Sequence, residues 1–352
     1  MQRETSLRAM KLVQTMLVRD EIDVIDAQIS YHLNAGVDFL IVTDHDSRDG
    51  TSEVLESHAR DGHLLRIACS GKMYESAWRT RMARMAATEY GADWIINTDA
   101  DEFWMPRGAA LKDVLSAVPF DLGVAWALTH HFVPRPEVAS EFSERMTARV
   151  FAPAPINDPT SPYRPHAKVA HRADPEIVIR YGAHLVYSRL APLTDWYVAD
   201  VLHFPFRSVE QYVRKGLRQA QGEWRLGQYV KAMHAHEQGR VADTFRALVV
   251  DDATLERGCA SGALALDTRL RDSLRSSDGS LGGPQPETSS GHDEWGHILE
   301  AAALREADTV RVSRRLDDLE ARISRLEKTG SSSATRRFLE AGARLRIRSV
   351  LR

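Results

Sequence analysis

The feature that constrains this chain most is an apolar run that ends in carboxylates. Ala92-Asp93-Trp94-Ile95-Ile96-Asn97 leads into Asp99-Ala100-Asp101-Glu102-Phe103-Trp104. A short apolar run bounded by polar residues reads as a buried strand, so the acidic residues arrive where that strand runs out into a loop. Residues two apart on an extended segment point the same way, so Asp99 and Asp101 can share one hard cation while Ala100 faces elsewhere. Taken alone, so short a pattern is equally a solvated acidic turn.

A second acidic segment upstream changes its weight. Val37-Asp38-Phe39-Leu40-Ile41-Val42 reads as another buried strand, followed by the polar turn Thr43-Asp44-His45-Asp46-Ser47-Arg48-Asp49-Gly50-Thr51 and a helix through Val54 and Leu55. Before it, Lys11 to Val18 forms a first strand, then come Arg19-Asp20-Glu21 and an amphipathic helix from Asp23 to Asn34, closed by Gly36. The first hundred residues therefore alternate strand and helix in an α/β pattern, with polar residues gathered at the carboxyl ends of strands. Open α/β sheets bind ligands there.

These segments, in this order, resemble the family 2 glycosyltransferases with the GT-A fold, in the branch carrying D-x-D-E-F. The residues that carry the resemblance are Leu17-Val18-Arg19-Asp20-Glu21, Val42 to Thr51 and Asp99-Ala100-Asp101-Glu102-Phe103. Further along, His166-Ala167-Lys168-Val169, Gly182-Ala183-His184 and Leu202-His203-Phe204-Pro205-Phe206-Arg207, on to Lys215, are similar to that branch's closing segments. The resemblance covers about residues 10 to 216. It implies a Rossmann-like, nucleotide-sugar-binding mixed sheet flanked by helices, and the transfer of a sugar from a nucleotide-diphosphate donor to a hydroxyl of a glycan or lipid-linked acceptor.

The resemblance also implies roles for residues. Asp99, Asp101 and His203 would ligate Mn²⁺ or Mg²⁺, which neutralises a leaving diphosphate; the imidazole favours manganese mildly. Asp44 would hold the nucleoside, with Arg19 and Glu21 lining the same pocket and Asp99 reaching the ribose or the metal. Lys168, Arg79 and Arg207 are candidates for the diphosphate, and each also reads as a solvated surface cation. Ser47 and Asp49 need no role beyond capping the next helix. The wider family's E-D pair is absent, which leaves the catalytic base among Asp195, Asp200 and His184 and the stereochemistry open. Gln221 and Trp224 stand without the arginine of processive synthases, so single-sugar transfer is expected.

Composition agrees with an enzyme of this size: 352 residues, 43% of them hydrophobic, can fill a core. A net charge of −3 argues against a dedicated nucleic-acid binder. Cys69 and Cys259 form no disulfide framework, and neither a signal-peptide core nor a membrane-length apolar run is present. A cytoplasmic location follows as the expectation.

The expected organisation is a catalytic domain over 10–216, a helical extension over 217–275, and a Ser-, Gly- and Pro-rich linker over 276–296. Val312, Leu316, Leu319, Ile323 and Leu326 then step at heptad spacing, a helix or short coiled coil over 297–330 that would support a homo-oligomer. The tail 331–352 is basic and amphipathic, suited to peripheral contact with the inner face of a membrane and equally to a solubilising terminus. Prolines crowd residues 134–175, where long loops between short strands are expected to bind the acceptor. Two other classes fit parts of the pattern: a metal-dependent phosphoesterase built on Asp44, Asp46, Asp99, Asp101 and the later histidines, and a non-catalytic assembly protein held by its coiled coil.

Overall fold

The computed structural model describes residues 9–107, 109–137, 141–151, 163, 166–220 and 234–276. The chain divides into two compact units, residues 1–300 and 301–352. The second lies outside the described residues, as do the linker beyond Ser276, the expected coiled coil at 297–330 and the basic tail at 331–352.

An eight-stranded mixed sheet organises the first unit. Its strands are β1 (Leu12–Val18), β2 (Phe39–His45), β3 (Leu64–Cys69), β4 (Trp94–Thr98), β5 (Glu102–Pro106), β6 (Leu122–His131), β8 (Ala167–Arg172) and β11 (Ala191–His203). The spatial order is β3-β2-β1-β4-β8-β6-β11-β5. The first four run parallel; β8 is antiparallel to both β4 and β6, β11 is parallel to β6, and β5 is antiparallel to β11. Among the described residues no helix is long and apolar enough to cross a membrane.

Strand periodicity explains why the parallel half is buried on both faces. Leu12, Met16, Leu40, Val42, Trp94 and Ile96 pack on Ile25 and Ile29 of α1 (Ile25–Asn34) and Leu55 of α2 (Thr51–Arg60). Their neighbours Val13, Ile41 and Ile95 face the other way, onto Met82 and Ala86 of α3 (Glu75–Thr88). Each fully buried aliphatic side chain of this kind stabilises by roughly 1.5–3 kcal/mol. Gly36 ends the first helical segment at φ +92°, a backbone region that costs a side chain dearly.

Gln14 and Thr15 of β1 and Asn97 and Thr98 of β4 are polar residues without exposure. They bond across the two strands, Gln14 Nε2 donating to Thr98 Oγ1 at 2.8 Å and Thr15 Oγ1 to Asn97 Oδ1 at 2.8 Å. Buried polar groups must be paired in this way, and this bonding ties β1 to β4 directly beneath the acidic segment.

The antiparallel half is aromatic. Phe103 of the acidic motif meets Phe204 edge-on at 5.8 Å, and Phe204 stacks on Phe132 at 4.3 Å. The expected boundary at 216/217 falls inside α6 (Val209–Ala220). Beyond it, the short strand Leu264–Leu266 pairs with β7 (Ala148–Val150), and Leu270 of helix Arg269–Arg275 enters the main core. The described part of 217–275 is thus integral to the sheet's packing instead of an appended layer.

Two wholly buried histidines make the fold sensitive to acid. His32 donates from Nδ1 to the Gln28 carbonyl at 2.8 Å and accepts at Nε2 from the Trp104 N–H at 3.1 Å, so its tautomer is set by both partners. Burial holds His32 and His171 down to about 4, against an ordinary value of 6.5. Between those values the unfolded chain binds more protons than the native one, so stability falls as pH is lowered from about 6.5 toward 4, by about 1.4 kcal/mol per pH unit for each such histidine. Urea denaturation at pH 7 and pH 5 checks this; equal stability at the two would contradict it. His171→Leu removes a ring whose Nε2 lacks a hydrogen-bond partner and flattens part of the slope.

Candidate functional site

The carboxyl ends of β1 and β2 are stapled together. The Asp20 N–H donates to Ser47 Oγ at 3.0 Å, Glu21 N–H to Thr51 Oγ1 at 2.9 Å, Ile22 N–H to Asp49 Oδ2 at 3.1 Å, and Arg48 N–H to Asp20 Oδ1 at 2.8 Å. Asp20 and Asp46 hold left-handed backbone at φ 55° and 53°, which a short acidic side chain tolerates. Asp49 also accepts from the Thr51 N–H at 3.1 Å, close to the capping role expected of it.

Asp44 lies at the end of β2 and is fully engaged. It accepts from Ser52 Oγ at 2.6 Å and from Arg66 Nε and Nη2 at 3.0 and 2.7 Å. Burial alone would raise its carboxyl, but the serine and Arg66 bonds hold it below the usual range. Asp44, expected to hold the nucleoside, has a carboxylate that also organises the turn.

Past the end of β4, the acidic motif divides into two ion clusters. Asp99 accepts from Arg79 Nη2 and from Lys168 Nζ, the latter at 2.8 Å, and Lys168 also meets Glu102 Oε1 at 3.0 Å. Glu102 Oε2 accepts from the Asp99 N–H at 3.0 Å, folding the motif back on itself. Burial would lift Asp99, and the two cations outweigh it and hold the carboxyl well below its ordinary value. For Glu102 burial prevails over Lys168 and, with the charges of Asp99 and Asp101 nearby, its carboxyl is raised.

Asp101 looks the other way. Its Oδ2 accepts from Lys215 Nζ of α6 at 2.6 Å and lies 3.5 Å from His203 Nε2 and 3.7 Å from Arg207 Nη1. Burial opposes ionisation here too, and Lys215, His203 and Arg207 together press the carboxyl far below the usual range. Arg207 is the hub: it also binds Glu21 through Nη2, and Asp23 at 2.7 and 2.9 Å, and donates to the Phe204 carbonyl at 3.0 Å.

The reading of Arg79, Lys168 and Arg207 as solvated surface cations is corrected: all three are buried and paired with carboxylates. Glu21 is held by Arg207 and does not line an open pocket. Arg19 stands 3.6 Å from Asp20 and stays partly exposed. Asp200 is completely buried, ion-paired to Arg107 and Arg269 and 3.2 Å from His130 Nε2. It lies three residues from His203 on one strand, hence on the opposite face of the sheet, and cannot take a proton from an acceptor. Asp195 lies within β11, and its side chain is outside the described residues. His184 donates from Nδ1 to the Ala167 carbonyl at 2.8 Å, and burial with nearby Lys168 pulls it down to about 3. A base that weak at neutral pH is poorly matched to general-base work.

The expected metal ligands are only partly assembled. Asp101 and His203 are neighbours, whereas both Asp99 oxygens are taken by Arg79 and Lys168. A hard, octahedral cation wants several free oxygens, and this set as arranged does not offer them. Sequence reading missed His131 and gave His166 no role of its own within its motif; both lie against His203, with ring centroids 5.0 Å apart for His131 and His203 and 4.9 Å for His131 and His166. It also gave Lys215 no role beyond the closing motif.

Residues 13–122 match the family model of glycosyltransferase family 92. The motifs point to family 2, so the match agrees on the class of enzyme and differs on the family. No curated protein matches the chain. Among solved structures the chain is similar to S. aureus TarS 1-349 in complex with UDP, at 11% identity over 75% of this chain and 89% of that one, with a TM-score of 0.33. The complex of TarS 1-349 with UDP-GlcNAc gives 12%, 75%, 90% and 0.33. Glucosyl-3-phosphoglycerate synthase from Mycobacterium tuberculosis, in complex with Mn²⁺, UDP and phosphoglyceric acid, gives 15%, 47%, 56% and 0.26. The chain spans 43% of the length of a longer TarS chain. The likeness is loose.

Arg207→Met strips Glu21 and Asp23 of their shared cation. Breaking a buried pair costs about 3–5 kcal/mol, so chemical denaturation of this variant is expected to show a loss of that order; a loss below about 1 kcal/mol would remove Arg207 as the hub.

Proposed function

We propose that this chain is a glycosyltransferase that moves a sugar from a nucleotide-diphosphate donor to a hydroxyl acceptor. The observation that carries the reading is the convergence of three polar loops at the carboxyl ends of the parallel strands β1, β2 and β4, with Asp99 and Asp101 at their centre. A doubly covered parallel sheet presents its ligand site at that edge. The family match over residues 13–122, which contains all three loops, supports the same reading.

The departing nucleotide diphosphate gains negative charge as the sugar leaves, and fixed cations aimed at that charge accelerate the step. Lys168, Arg79, Arg207 and Lys215 concentrate positive charge around the acidic motif. Their carboxylate partners keep them in place before any donor arrives, so little reorganisation is left for the reaction itself. Lys215 sits on α6 at the edge of the cluster, with a partly exposed side chain. It is the cation best placed to exchange Asp101 for a phosphate oxygen. The acceptor belongs to the proline-crowded half, on surface glycans or lipid-linked precursors as the resemblance implies.

Thermal unfolding against a panel of nucleotide diphosphates and nucleotide sugars, with and without Mn²⁺ or Mg²⁺, tests the reading. One nucleotide family at 100 times its dissociation constant is expected to stabilise the chain by about 2.7 kcal/mol. Asp101→Ala abolishes that gain. Asp200→Asn, on the other face of the sheet, lowers stability and keeps the gain. Absence of stabilisation by every nucleotide, or hydrolysis of a simple phosphodiester without sugar transfer, would overturn the proposal in favour of the assembly-protein or phosphoesterase reading.

A further inference from the structure

His131, His166 and His203 bring one ligand nitrogen each within 4.8 Å of the others, beside the acidic motif but outside it. Three separate pieces of the fold build this cluster. His131 and His203 end the parallel strands β6 and β11 as register partners, so their side chains leave the same face side by side. His166 is delivered by the entry to β8, where its carbonyl accepts from the Thr129 N–H at 3.1 Å. Nothing in the local sequence spacing announces the arrangement.

We infer that these three imidazoles form a binding site for a nitrogen-preferring divalent metal of the zinc and cobalt class, with Asp101 supporting it from behind His203. His131 Nδ1 and His203 Nδ1 stand 3.0 Å apart. Two nitrogens each about 2.0–2.1 Å from one ion stand roughly 3.0–3.4 Å apart, so this pair already has the spacing of neighbouring ligands. His166 closes the set by a modest ring movement. The other nitrogen of His203, Nε2, faces Asp101 Oδ2 at 3.5 Å. That is the carboxylate–imidazole–metal relation in which an outer carboxylate fixes the tautomer of a ligating ring.

The site's chemistry selects the ion. Three imidazoles suit zinc, cobalt or nickel and are poor partners for magnesium, which demands oxygen. Three protein ligands leave a coordination position open, as in metal sites that bind a water or a substrate oxygen. The inference shares Asp101 and His203 with the sugar-transfer reading, and metal uptake in the absence of nucleotide tests it separately from that reading.

Metal content and spectroscopy of the full chain test it. After dialysis without chelator, elemental analysis is expected to find zinc in a one-to-one ratio to the chain. Co²⁺ added to stripped protein is expected to give the visible absorption bands of a low-coordinate nitrogen site, while Mg²⁺ produces no thermal stabilisation. His131→Ala and His166→Ala each abolish the cobalt bands; Asp101→Asn keeps them and weakens affinity by about 10–100-fold, the usual cost of losing an outer carboxylate. Circular dichroism of each variant establishes that it is folded, and the wild-type metal content is decisive without any variant. A folded wild-type chain that takes up neither zinc nor cobalt would overturn the inference. So would cobalt binding that survives both histidine substitutions and vanishes with Asp101→Ala, which would place the ion on the carboxylates.

Discussion

Arg207 is buried outright, and a guanidinium out of water persists only where carboxylates meet it. Glu21 and Asp23 come from the end of β1, Asp101 from the end of β4, and Arg207 itself from just past β11. One side chain thereby ties the parallel half of the sheet to the antiparallel half at the edge where the polar loops gather. Lys168 repeats the device between β8 and the acidic motif, holding Asp99 and Glu102. The edge is stiff because each carboxylate there has a cation it cannot easily leave.

This pairing sets what the site can do. Desolvation pushes a buried carboxyl toward its neutral form, and adjacent cations reverse that for Asp99 and Asp101 while Glu102 remains raised. Two ionised carboxylates flanked by lysine and arginine form an alternating charge lattice at this edge of the sheet. The three histidines lie beside the lattice, His203 touching it through Asp101, and their rings offer a second, softer kind of ligand.

Much of the parallel half is legible in the chain. Apolar runs bounded by polar turns locate β1, β2 and β4 to within three residues, because strands buried on both faces are largely apolar. The acidic loops are legible for the same reason: charged residues gather at the strand ends. What was not legible is partnership at long range. Asp44 and Glu21 read as open ligands since nothing local reveals Arg66 or Arg207, and the cations read as surface or phosphate residues since their carboxylates lie on distant strands. The period of two was enough to separate Asp200 from His203, yet their closeness in sequence made both look like site residues. His131, His166 and His203 meet only through the pairing of β6 with β8 and β11, an arrangement no spacing rule encodes.

Amide hydrogen exchange of the full chain, with and without a stabilising nucleotide sugar, tests the central claim most directly. The account predicts slowed exchange in peptides covering residues 18–23, 44–51 and 99–104, with the opposite ends of the same strands unchanged. Protection centred on the amino ends of the strands, or on the helices remote from the acidic motif, would contradict a donor site at this edge of the sheet.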